Sequence, residues 1–127
     1  MKLTQIFKAM FSPAPRVAPA DCFAHIRSGE ALLVDVREPK EWEAGVAQSA
    51  ALLPLSDLKG DRKKWSRFLA DSGGREILLY CAVGGRAGMA AQILAAEGHR
   101  ASNAGGFREW VASGWPVVRA QETPEAT

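Results

Sequence analysis

Cys81 is the residue in this chain best placed to do chemistry, because of what stands on either side of it. It follows Ile77-Leu78-Leu79-Tyr80, an apolar run of the length and composition of a strand buried on both faces. It precedes a small loop, Ala82-Val83-Gly84-Gly85-Arg86. A helical pattern rich in Ala, Leu and Gln then runs from Met89 to Glu97 and stops at Gly98. A helix N-terminus offers unpaired N–H groups and a positive dipole end, and both favour an anion. The first anion available there is the thiolate of Cys81, and Arg86, near the first helical turn, adds its charge. Gly84 and Gly85 lack a Cβ, so the backbone can take positive φ and turn successive N–H groups inward. The expected result is a bowl of donors with sulfur at its floor, suited to a thiolate, an oxyanion or a persulfide. The competing reading is a buried structural cysteine beside an ordinary βα turn.

The elements that must position this loop can be read in order. Val17 suits a short edge strand after a proline-rich connector, and Asp21 suits the cap of a helix through Ser28, ended by Gly29. Ala31 to Arg37 reads as a second buried strand ending in charge, with Asp35, Arg37 and Glu38 at its C-terminal end. Such residues most often brace loops through hydrogen bonds and ion pairs. Pro39, Glu41 and Glu43 suit a short helix to Ala44, closed by Gly45. Leu52-Leu53 is a short strand, Leu55 to Leu58 a turn, and Arg62 to Asp71 a helix with Trp65, Phe68 and Leu69 on one side. After Gly98, a last strand is expected over His99 to Asn103, a tight turn at Gly105-Gly106, and a helix from Phe107 to Ser113. Trp42, Trp65, Trp110 and Trp115 read as core or rim packing. The alternation predicts an α/β domain with a mainly parallel sheet of about five strands and helices on both faces. Ligands in such sheets sit outside the strand C-termini, where Cys81 falls.

Composition bounds the remaining choices. The chain has 127 residues, 47% apolar and 24% charged, which suits one soluble domain with an ordinary core. A net charge of +2, with the basic residues dispersed, gives no nucleic-acid footprint; Arg62-Lys63-Lys64 reads as a solvated helix face. Two cysteines in unlike contexts do not make a disulfide framework, so a reducing, cytoplasmic setting is expected. Cys22 reads as a small buried hydrophobe. Leu3, Ile6, Phe7, Met10 and Phe11 fall at helical spacing, interrupted by Lys8. They suggest an amphipathic segment, neither a signal peptide nor a membrane span, that docks on the domain, a membrane surface or a partner. The organisation expected is an N-terminal segment and connector over 1–16, one domain over 17–118, and a disordered polar tail over 119–127.

Three ordered motifs then resemble the rhodanese (sulfurtransferase) family, of the small single-domain type. Asp35-Val36-Arg37-Glu38 with Glu41-Trp42 and Gly45 is similar to its D-V-R-E-x-x-E-[W/F]-x-x-G segment. Cys81 to Arg86 is similar to its six-residue active loop, C-x-x-G-x-R. Gly105-Gly106-Phe107, Trp110 and Gly114-Trp115-Pro116-Val117 are similar to its closing motif. The resemblance implies that Cys81 attacks the sulfane sulfur of a donor such as thiosulfate or a polysulfide. It then holds that sulfur as a persulfide and passes it to cyanide or a thiol, by double displacement. It also implies that the amides of Ala82, Val83, Gly84, Gly85 and Arg86 cradle the transferred sulfur. Arg86 would favour the anionic form or bind the donor's oxyanion end. Neither a metal nor an organic cofactor is implied.

Two departures from the family stand out. Val46-Ala47-Gln48-Ser49-Ala50 occupies the place of the common His-Ile-Pro-Gly-Ala, and Ala87 the place of a frequent Ser or Thr. Ala82 and Val83 carry no charge, so attraction of thiosulfate rests mainly on Arg86. Competing functions are a cysteine phosphatase or arsenate reductase, whose loop is one residue longer, and a sulfur-relay or regulatory protein-binding module. His25 and His99 fall in no motif that pairs with Cys81.

Overall fold

The computed structural model describes residues 14–120. In chain order the elements are α1 (Pro19–Ser28), β1 (Ala31–Asp35), α2 (Pro39–Trp42), β2 (Val46–Ala47), β3 (Ala51–Leu52) and α3 (Leu55–Lys59). Then come α4 (Lys63–Asp71), β4 (Glu76–Cys81), α5 (Gly85–Ala96), β5 (Ala101–Gly106), α6 (Phe107–Ala112) and β6 (Val117–Val118). The central sheet has four strands in the order β3-β1-β4-β5, and every pairing is parallel. β2 and β6 form a separate antiparallel pair.

Parallel strands need crossovers, and here helices supply them, covering both sheet faces. Successive side chains of β4 point to opposite faces. Ile77, Leu79 and Cys81 therefore join one core with Trp65, Phe68, Ala87, Ala90, Ala91 and Leu94. Leu78 and Tyr80 join the other, with Leu33, Ala104, Trp110 and Trp115. The helix over the Cys81 face, α5, presents alanines, so its axis can lie close to the sheet. All four tryptophans are buried, as expected. Trp65, Trp110 and Trp115 each donate their indole N–H to a backbone carbonyl, of Pro54, Ala104 and Gln48 respectively.

Several boundaries differ from the sequence expectation. The sheet has four strands where about five were expected; Arg16 extends its edge by a single bridge to Asn103, beside the strand expected at Val17. α1 begins at Pro19, whose fixed φ suits the first helical position, so Asp21 lies in the first turn instead of capping it. Leu55 to Lys59 is a helix, not a turn. Within it, Asp57 accepts from the N–H groups of Lys63, Lys64 and Trp65 and so caps α4 from outside it. β5 runs on through Gly106, where a turn was expected. The amphipathic residues 3–11 and the tail beyond Ala120 lie outside the described residues. Among the described residues, no helix is long and apolar enough to cross a membrane.

Candidate active site

β4 ends at Cys81, and α5 starts only four residues later, at Gly85. The loop between must reverse direction in three residues, and it does so at Gly84, whose φ is +106°. That conformation suits glycine and aims the Gly84 N–H back at the strand end. The Gly84 N–H donates to Cys81 Sγ at 3.0 Å, and the Ala87 N–H donates to the same sulfur at 3.4 Å. Ala87 is the third residue of α5, so its N–H has no acceptor within the helix; the sulfur takes that place. Cys81 is 1% exposed, while Val83 at the loop rim is 81% exposed. The sulfur is therefore enclosed beneath an open, uncharged rim.

The loop is held from outside by β5. Cys81 pairs with Gly106 across the sheet. A Cβ built on Gly106 would lie 2.9 Å from Val83 Cα and closer still to the Ala82 carbonyl oxygen, so any side chain there displaces the loop. Asn103 ties the loop directly. Its side-chain amide donates to the Gly84 carbonyl at 3.0 Å and accepts from the Gly105 N–H at 2.9 Å. Glu109 accepts from the Gly106 N–H and from Arg16, whose guanidinium would meet a Cβ at Gly84 at 2.8 Å.

Arg86 is placed differently from the expectation. Its two terminal nitrogens fork onto the Glu41 carboxylate at 2.6 and 2.8 Å, instead of facing an open oxyanion position. This pairing raises the Arg86 pKa, chiefly through the hydrogen bond to Glu41, with smaller contributions from the charges of Cys81 and Glu38. Glu41 responds in kind: the Arg86 hydrogen bond brings its carboxyl down to about 2. Glu41 Oε1 also accepts from the Glu38 N–H at 3.0 Å and so fixes the start of α2. Gly85, which like Gly84 could take positive φ, opens α5 without it, and a Cβ placed there would meet nothing within 4 Å.

Asp35 and Arg37 pair with each other and tie down neighbouring backbone. Arg37, 4% exposed, donates through Nε and Nη2 to Asp35, which is fully buried. It also donates to the carbonyls of Glu41 and Gly45, and its guanidinium lies 4.4 Å from the Phe107 ring centroid. This pins the segment that carries Glu41. Glu38 accepts from Ser56 Oγ at 2.7 Å and reaches the loop only through its charge. Glu41, Ala87, Asn103, Gly106 and Glu109 thus join the site without being among the expected residues. The one sequence signal for Glu41 was its place in the motif that follows Asp35.

Other features lie elsewhere. A cavity of about 410 Å³ lined by His25, Glu30, Arg75, Glu76 and Arg100 opens where β1 and β4 begin, at the opposite end of the sheet from Cys81. Among the described residues, no three His, Cys, Asp or Glu side chains are grouped to hold a metal ion.

Comparison with known proteins agrees with this fold. The chain is 40% identical over 83 residues to the uncharacterized protein YqhL of Bacillus subtilis; the match spans 64% of this chain and 61% of that relative. The crystal structure of a rhodanese-related protein from Thermoplasma volcanium aligns with a TM-score of 0.67 and 30% identity, covering 82% of this chain and 97% of that one. A thiosulfate sulfurtransferase from Pseudomonas aeruginosa aligns with a TM-score of 0.68 at 20% identity, over 89% of this chain and 21% of that one, a likeness of fold alone. The profile of the Rhodanese-like domain matches residues 18–113, and the chain belongs to that family.

Proposed function

We propose that this protein is a sulfurtransferase that carries sulfane sulfur on Cys81. The observation that supports the reading best is the convergence of the Gly84 and Ala87 N–H groups on Cys81 Sγ. Both groups donate, so the backbone meets this sulfur as a hydrogen-bond acceptor, the polarity that a sulfur-carrying nucleophile needs. In the first step, the Cys81 thiolate attacks the outer sulfur of a donor. A Cys81–sulfur bond forms, the donor's sulfur–sulfur bond breaks, and the donor leaves with the electron pair as sulfite or a thiolate. In the second step, cyanide or a thiolate acceptor attacks the outer sulfur of the persulfide and returns Cys81 as the thiolate. First-turn amides of α5 not used by Cys81, those of Gly85 and Arg86, are the donors available to the transferred atom. Arg86 stands behind the loop, bound to Glu41, and supports the site without binding the donor.

A phosphatase reading is disfavoured by the same geometry. Only four residues separate Cys81 from Arg86, and that arginine commits its fork to a carboxylate. Intact mass tests the proposal. After incubation with polysulfide or thiosulfate the protein is expected to gain one sulfur, lose it on adding cyanide, and gain none as Cys81→Ser. No gain from either donor would leave a binding module.

A further inference from the structure

The charges around the loop bear on which donor it takes. Thiosulfate is a dianion, and an anionic sulfur must attack it, so its approach depends on local positive charge. Among the described residues, the guanidiniums of Arg86 and Arg16 stand at the loop, and each is already matched. Arg86 forks onto Glu41, and Arg16 donates to Glu109 at 2.8 Å. Glu38 adds a third carboxylate whose charge acts on Arg86. Ala82 and Val83 contribute no charge, and the exposed rim residue is aliphatic. The loop therefore offers neutral main-chain donors, and the guanidiniums of Arg86 and Arg16 beside it are each balanced by a carboxylate.

We infer that Glu41 is a specificity-determining residue that neutralises Arg86 and so tunes the site toward sulfur carried as a persulfide on a thiol, and away from thiosulfate. The inference rests on the sulfurtransferase reading above. The preferred first step is attack of the Cys81 thiolate on the outer sulfur of R–S–SH. It gives a Cys81 persulfide and the thiolate R–S⁻, which takes its proton from solvent. Neither electrons nor charge need an external partner, and the leaving group carries one charge instead of the two of sulfite. Glu41 acts through Arg86 and touches no reacting atom.

The test compares two donors, thiosulfate and hydroxyethyl persulfide, a carrier with no charge beyond its sulfur. The wild-type kcat/KM is expected to be higher for the persulfide, and that for thiosulfate to vary little with ionic strength. Glu41→Gln keeps an acceptor for the Glu38 N–H while freeing Arg86. It is expected to raise the thiosulfate-to-persulfide ratio of kcat/KM about tenfold, through KM, and to make thiosulfate turnover salt-sensitive. A ratio unchanged or lowered in Glu41→Gln would overturn the inference, because a purely structural role lowers both donors together. A wild type that prefers thiosulfate would overturn it without recourse to any variant. Failure of both donors to load Cys81 would instead remove the sulfurtransferase reading itself, so the two failures are distinct.

Discussion

Cys22 and Cys81 are both enclosed, at 3% and 1% exposure, yet their sulfurs face opposite kinds of partner. Cys22 sits in α1 and donates its S–H to the Ala18 carbonyl at 3.4 Å. Burial pushes its thiol up to about 11, and the charges of Glu76 and Asp21 push the same way. Cys81 accepts, from two main-chain N–H groups. A helix interior turns its carbonyls toward a side chain that must donate, whereas a helix N-terminus turns free N–H groups toward one that can accept. Depth of burial therefore does not distinguish the two cysteines; the polarity of the neighbouring backbone does.

The comparison breaks most sharply at Gly106. Gly106→Ala pushes a methyl into the Ala82–Val83 backbone and moves the donors off the sulfur. A misplacement on the order of 1 Å costs about a hundredfold in rate, so sulfur transfer is expected to fall at least that far in a protein whose circular dichroism is unchanged. Asn103→Ala removes the tether on the Gly84 carbonyl and leaves the loop in place but looser. Loss of one hydrogen bond of about 1 kcal/mol predicts roughly fivefold slower loading of Cys81, read by stopped mass measurements.

A smaller effect appears in acid. The Glu41 carboxyl lies below its ordinary 4.5, at about 2, so its pairing with Arg86 stabilises the fold above pH 4.5 and is lost as pH falls toward 2. Glu97, lowered by its hydrogen bond to Arg62, contributes in the same direction. Thermal midpoints measured across that range are expected to decline, and less steeply in Glu41→Gln. Least affected is Cys22→Ala: stability drops by about 1 kcal/mol through the small void it leaves, with sulfur loading intact. Loss of loading in that variant would contradict the division of roles.

Much of this arrangement was legible in the chain. The apolar runs within Ala31 to Arg37 and at Ile77–Tyr80 declare parallel strands, and Cys81 with Gly84 declares the turn into a helix. What local pattern cannot declare is pairing at a distance. Arg86 meets Glu41 across 45 positions, and only the placement of α2 beside the loop unites them. Ala101 to Gly106 is poor in β-formers and forms a strand because its neighbour β4 supplies the ladder, so Asn103 and Gly106 gave no warning of their contacts with the loop. Asp57 was hidden for a similar reason, since it caps a helix that begins six residues after it.

The most direct test is competitive alkylation of the two native cysteines by iodoacetamide at neutral pH, with each site quantified by peptide mass. Their burial is alike, so burial alone predicts comparable labelling. Main-chain donation to one sulfur and main-chain acceptance from the other predict modification of Cys81 at least about a hundredfold faster than Cys22. Equal rates, or Cys22 reacting first, would contradict the account.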